Sequence, residues 1–387
     1  MNETQKQLLQ LIRAALQGEG KPLPENADVA GLYELATRHG VLALFYYGAV
    51  ACGVSAEHPI VKSAAATVLR EAMLGEKQLL CGRLVTEAFE REGIDHLPLK
   101  GLRQKSLYPK AEMRAMGDLD ILIREEDHPR ILPLMESLGF AQTTVSDHEF
   151  VFQGKGITVE LHRRLIPSYN KDYYAYFGDG WNHASSVDGS HAFVMPPEDE
   201  FIYLLVHFAK HYRDGGIGLR HVTDLYVFLK SVPLEEKILE EKLSKLRLFP
   251  FYQNLHRALA VMFDGAKEDE TTALIADTVF AAGVYGTAEG HLLSGSLRVE
   301  RKEKSTRRVS RMAKLLFPDA TRVKNKYPVV AKHPVLLAIY WPYYFVARVF
   351  DRRKREEFKQ NVSAMDKREV SRYEESLQKV GLDFYFE

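Results

Sequence analysis

The run Met116-Gly117-Asp118-Leu119-Asp120-Ile121-Leu122-Ile123 constrains this chain most, because it opens an apolar stretch of strand length with two carboxylates one residue apart. Alternate side chains of a β-strand share a face, so Asp118 and Asp120 are expected to point together while Leu119, Ile121 and Ile123 enter a core. Two neighbouring carboxylates do not both ionise in a dry site unless a cation offsets their repulsion, and hard oxygen ligands of this kind suit Mg²⁺. The local reading is a magnesium site at a strand mouth. For Asp-x-Asp alone, a solvated strand start is the alternative.

The surrounding frame favours the site. Upstream, Leu97-Pro98-Leu99-Lys100-Gly101-Leu102 reads as a short strand ending in Lys-Gly and running into a helix-like stretch through Tyr108-Pro109; Arg114 then stands four residues before Asp118. Downstream, Glu126 to Phe140 reads as an amphipathic helix closing at Gly139. After a Gly-x-Gly turn (Gly154, Gly156), the stretch Gly156 to His162 alternates as a strand and carries a third carboxylate, Glu160, with His162 on the same face.

The run LKGLRQKSLYPKAEMRAMGDLDILI, followed by a helix and then VELH, resembles the DNA polymerase beta-like nucleotidyltransferase superfamily. Its nearest resemblance is to a large bacterial family described as uncharacterised nucleotidyltransferase, related to the abortive-infection toxin nucleotidyltransferases. The likeness spans roughly residues 95–350, including HFAKHYRDGGIGLRHVTDLYVFL (His207 to Leu229) and the region from Tyr327-Pro328 to Arg348. By this resemblance Asp118, Asp120 and Glu160 are the metal-binding and catalytic carboxylates, holding two Mg²⁺ ions or Mn²⁺ in their place. Lys100, Gly101, Leu102, Arg114 and Gly117 fall in the nucleotide-binding set. Leu102 departs from the pattern, since many relatives outside this branch have Gly or Ser there to help hold the phosphates.

The chemistry suits those residue types. An acceptor hydroxyl attacks the α-phosphorus of an NTP and displaces pyrophosphate, with metal ions stabilising the attacking and leaving oxygens. Glu160 would take the hydroxyl proton, backbone N–H groups around Gly101 would meet the triphosphate at a helix N-terminus, and Lys100 and Arg114 would neutralise the departing pyrophosphate. A snorkelling lysine and a surface ion pair are the bland alternatives for the last two.

The expected fold class is α+β: a small mixed β-sheet nucleotidyltransferase core over residues 96–195, flanked by helical regions at 1–95 and 196–387. Within the first region, breaks are expected at Gly18 to Asn26 and Gly53 to Pro59, before a long helix near Ile60 to Glu92; in the last, loops fall at Asp214 to Gly218 and around Gly283 to Gly295. On the helix after Pro197, Leu204, His207, Phe208 and His211 stand at i, i+3, i+4 and i+7, and Arg220, His221 and Asp224 follow the Gly-rich turn. Three readings stay open for this constellation: structural zinc, interhelix hydrogen bonding, and a pocket role in which His207, His211 or Arg220 helps bind nucleotide or acceptor.

With 46% hydrophobic residues over 387 positions, the chain can bury a large core in two or three domains. Its 52 basic and 52 acidic side chains argue against bulk coating of nucleic acid, although Arg301 to Lys314 holds seven Lys/Arg against one Glu and Arg352-Arg353-Lys354-Arg355 follows. Either cluster is a candidate contact for RNA or a membrane surface; a solvated helix face is the alternative. Cys52 and Cys81 lack metal-ligand spacing and suit a reducing compartment, and no apolar leader opens the chain, so a cytoplasmic location is expected. Pro334 to Phe350 is short for a membrane span and carries Pro342 and Arg348; a packed helix is expected, an interfacial one being the alternative.

Three functions compete. The first is a Mg²⁺-dependent nucleotidyltransferase moving NMP from an NTP donor to a hydroxyl acceptor, whether tRNA, a protein side chain or a small molecule. The second is a catalytically weak nucleotide- or protein-binding module of the same fold, for which Leu102 speaks. The third is a membrane-surface scaffold in a biosynthetic operon.

Overall fold

In the computed structural model, which describes residues 1–168, 170–284 and 367–383 with isolated positions between 286 and 340, four helices precede the first strand. They are α1 (Glu3–Gln17), α2 (Val29–Arg38), α3 (Leu42–Ala51) and α4 (Pro59–Arg91). Asn2 caps α1 in a reciprocal capping box with Gln5, and Pro59 starts α4 where a missing N–H costs nothing. The expected breaks are present, with a further one at His39–Val41 between α2 and α3. The two basic clusters and the stretch Pro334–Phe350 lie outside the continuous described segments.

The chain divides into two units, Met1–Gly286 with Lys379–Tyr385, and Thr287–Gln378. Of the second, the described residues are chiefly 367–378, which form all but the last residue of the helix Lys367–Lys379.

A five-stranded mixed sheet forms its centre, in the order β1-β2-β5-β4-β3, confirming the α+β class. The strands are β1 (His96–Pro98), β2 (Leu119–Ile123), β3 (Ala141–Val145), β4 (Glu149–Gly154) and β5 (Ile157–His162). β2 and β5 run parallel; the other pairs are antiparallel. The β4–β5 hairpin turns on Lys155 and Gly156, both at positive φ (53° and 69°), as a two-residue turn twisted to match its strands requires.

Period-two alternation decides the two faces. Leu119, Ile121 and Ile123 of β2 join Val159 and Leu161 of β5 and Phe150 and Phe152 of β4 in one buried cluster, which Val85 and Phe89 of α4 and Ile131 and Met135 of α6 (His128–Ser137) close. Each such side chain contributes about 1.5–3 kcal/mol on leaving water, so a one-residue slip of β2 would forfeit the cluster and bury its aspartates there instead. The other face of β2 and β5 carries Asp120, Leu122, Glu160 and His162.

Helices cover that second side of the fold: α8 (Pro197–Arg213), buried along most of its length, and α9 (Leu219–Ser231), followed by α10 (Glu236–Lys245), α11 (Phe249–Phe263) and α12 (Glu270–Ala282). α7 (Lys171–Phe177) and a small ribbon of Ser185–Ser186 with Phe193–Val194 lead into α8. Cys52 and Cys81 are buried free thiols. Among the described residues no helix is long and apolar enough to cross a membrane.

Candidate active site

Parallel pairing of β2 with β5 sets Asp120 directly opposite Glu160 and Leu122 opposite His162. Residues in register share a face, so Asp120, Glu160 and His162 converge, with one ligand-type atom of each within 4.8 Å of the others. Asp118 lies just ahead of β2 rather than inside it. Its approach loop is pinned from behind, where the buried Gln78 of α4 donates its Nε2 to the Met116 carbonyl at 2.9 Å.

One oxygen of Asp120 receives two donors. Lys100 Nζ lies 2.9 Å from Oδ1, and His162 Nε2 lies 2.8 Å from the same atom and 3.8 Å from Glu160 Oε2. A carboxylate accepts only, so the His162 proton sits on Nε2. Burial pushes the Asp120 carboxyl up, but Lys100 and His162 outweigh it and hold the group far below the usual carboxylate range. At Glu160 the balance reverses: burial and the negative charges of Asp118, Asp120 and Glu149 outweigh Lys100 and push it up to about 8. Burial and Asp120 raise Asp118 as well. The cluster carries more negative charge than its own cations offset, and that electrostatic setting, with oxygen donors grouped on one face, fits a divalent cation.

Facing these groups is a cavity of about 110 Å³. At roughly 15 Å³ per water position, it has room for several waters or a phosphate group and its counter-ion. Lys100, Gln104, Arg114, Gly117, Asp118 and Asp120 form one side; Leu204, His207 and Phe208 of α8 and Arg220, His221, Asp224 and Leu225 of α9 form the other. Arg114, expected at the phosphates with a surface ion pair as the alternative, is buried and grips Asp224 bidentately, Nε to Oδ1 at 3.2 Å and Nη2 to Oδ2 at 3.0 Å. Tyr108 donates its hydroxyl to Asp224 Oδ1 at 2.7 Å.

Lys100 caps α5 (Gly101–Gln104) with φ 38°, a left-handed value costly for a residue with a Cβ. Gly101 beside it permits close packing: a Cβ there would stand 2.6 Å from both Arg114 Nη1 and Met116 Sδ. The helix expected through Tyr108 is only this single turn, continued by a 3₁₀ turn over Lys105–Leu107, so its dipole adds little at Gly101. Leu102 turns its side chain away from the cavity and packs towards Gly82 of α4 and the sheet core.

The histidines divide. His207 lines the cavity, its ring 5.8 Å from that of His221; His211 sits 4.5 Å from His207 but is not among the lining residues. Burial drives both His207 and His221 far below the ordinary histidine range, so both rings are neutral at pH 7. Among the described residues the one grouping of three or more metal-ligand side chains is Asp120, Glu160 and His162, which leaves zinc at His207 and His211 without support.

A family model described as uncharacterised nucleotidyltransferase matches residues 25–264. The chain belongs to this family. The family's span runs from before α2 to the end of α11 and contains every residue of the cavity and of the carboxylate cluster. No curated protein and no solved structure matches the chain. Family membership supports nucleotidyl transfer as the general activity and an NTP as donor.

Sequence reasoning did not reach Gln104, Gln78, Glu149 or the pairing of Arg114 with Asp224, whose partners stand 110 residues apart. The nearest signal was an Asp one helical turn after Arg220 in an otherwise apolar helix face.

Proposed function

We propose that the protein is a metal-dependent nucleotidyltransferase that moves NMP from an NTP to a hydroxyl acceptor and releases pyrophosphate. The observation that carries this reading is the β2–β5 register, which sets Asp120 opposite Glu160 at the edge of a cavity lined by Lys100, Arg114 and Arg220. Asp118, Asp120 and Glu160 would hold Mg²⁺ or Mn²⁺, which when bound activates the acceptor hydroxyl and stabilises charge on the leaving phosphates.

The protein's own groups have separable tasks. The acceptor oxygen attacks the α-phosphorus, the bond from that phosphorus to the β-phosphate bridging oxygen breaks, and the electron pair leaves with pyrophosphate. The hydroxyl proton passes to the Glu160 carboxylate, whose affinity for protons is already raised by its neighbours. Lys100 and Arg220 line the path of the triphosphate, and Arg114, fixed by Asp224 and Tyr108, presents its positive charge from a preset position. Neutral His207 and His221 can donate or accept hydrogen bonds there without a change of charge. Leu102, the feature that favoured a binding module, packs into the core and does not obstruct the cavity.

Incubation with each α-labelled NTP, Mg²⁺ and cell extract tests the proposal and finds the acceptor. Label should pass to one class of acceptor with wild type and not with Asp120→Asn.

A further inference from the structure

Asp120 Oδ1, like Asp224 Oδ1 across the cavity, accepts from two donors. Its two donors, Lys100 at 2.9 Å and His162 at 2.8 Å, leave it no open approach of the kind a metal ligand needs. A Mg²⁺ or Mn²⁺ ion binds a carboxylate oxygen at about 2.0–2.1 Å, which would set a divalent charge within a few ångströms of the ammonium. Like charges that close in a site where Asp120 is only 3% exposed are strongly repulsive. Of the two donors, the ammonium is the full positive charge on a long flexible stem, and it is the one that an arriving cation repels.

Lys100 has somewhere to go. It lines the cavity shared with Gln104, Arg114 and Arg220, and its side chain is 19% exposed where that of Asp120 is 4%. The backbone beneath it is fixed in a costly conformation and packed at Gly101 against Arg114 and Met116, so any reorientation falls to the four-carbon stem with its rotatable bonds.

Resting on the metal-dependent reading above, we infer that Lys100 is the site's resident counter-cation: without nucleotide its ammonium holds Asp120 in place of a metal, and it moves to the triphosphate when a divalent cation takes the carboxylate. Lys100 is thus a positioning residue that couples the two ligands. Metal alone must displace an ion pair, whereas metal arriving with a polyphosphate offers the displaced ammonium a new anionic partner. By linkage each ligand favours the other.

The test measures Mn²⁺ binding by electron paramagnetic resonance on the full chain, in wild type, Lys100→Met, Lys100→Gln and Asp120→Asn. Inorganic tripolyphosphate binding in the presence of Mn²⁺ is followed in parallel by calorimetry. Both Lys100 variants should bind Mn²⁺ alone at least tenfold more tightly than wild type, yet bind tripolyphosphate at least tenfold more weakly. A lysine that merely supports the fold would lose both ligands together, and that result, or unchanged Mn²⁺ affinity in both variants, overturns the inference. Asp120→Asn separates the two levels: if it abolishes Mn²⁺ binding while the Lys100 variants fail to tighten it, the coupling is wrong and the metal site stands. If it leaves Mn²⁺ binding intact, the metal assignment falls and takes the inference with it.

Discussion

On the sheet side, Asp118 and Asp120 line the cavity with Glu160 next to Asp120 and one lysine against them, and Glu160 is pushed up to about 8 by burial and its acidic neighbours. On the helical wall the main charge is already matched, with Asp224 of α9 gripping Arg114 from across the cavity bidentately and held again by Tyr108. The first wall is electrostatically incomplete and stands to gain from a cation; the second is preassembled and stands to lose from any disturbance. Substitutions on the two walls should therefore move stability in different directions even where both lower activity.

The largest effect is expected at Asp120. Asp120→Asn should cut NMP transfer by about 10³-fold or more, measured as labelled product. It should also destabilise the metal-free protein by about 3 kcal/mol in denaturant unfolding, because a largely buried Lys100 loses its partner. Asp118→Asn breaks the comparison differently: transfer falls similarly, but the metal-free protein should become more stable, since burial and Asp120 already disfavour that charge.

Asp224→Asn comes next and tests the helical wall. Arg114 would keep a hydrogen-bond partner but lose its counter-charge in a buried site, at a cost of about 3 kcal/mol in stability. NTP use, read as kcat/KM, should fall about 10²-fold although Asp224 bears no proposed metal or acceptor role.

These two walls were not equally legible. Asp118, Asp120 and Glu160 announce themselves locally, because a two-residue period inside an apolar run dictates which side chains share a face. The alternation of Ile157 to His162 and the Gly156 turn placed Glu160 on a strand in the same way. Arg114 looked like a phosphate ligand or a surface pair, and nothing near it shows that its partner is Asp224, supplied by a helix 110 residues later. β3 was equally silent: Ala141–Val145 is an edge strand, mostly exposed, so it has no apolar alternation to read. Leu102 shows the converse. Its departure from the family pattern looked like a change in the phosphate grip, but the space left by Gly82 on α4 turns it into a packing residue.

A subtler expectation concerns pH. Glu160 rises from an ordinary 4.5 to about 8 in the folded protein, so between those values the native state keeps a proton the unfolded chain has released. Its stabilising contribution is complete below about 4.5 and disappears as pH climbs through 8. Thermal unfolding of the metal-free protein should show this decline; Glu160→Gln should flatten it, as should saturating Mg²⁺. Glu160→Gln should also lose transfer while keeping much of its NTP affinity.

The smallest effect belongs to Leu102→Ala. Loss of a partly buried contact should cost about 1–2 kcal/mol in unfolding and leave the KM for NTP within about twofold. A large rise in KM would return Leu102 to the phosphate site.

The most direct measurement is pyrophosphate release from each NTP in the presence of Mg²⁺ and cell extract, comparing wild type with Asp120→Asn. Wild type should release one pyrophosphate per NMP transferred, and the variant should release none above background. Equal release by the two proteins, or triphosphate that binds wild type tightly without ever yielding pyrophosphate, would contradict a transferase built on the carboxylates of β2 and β5.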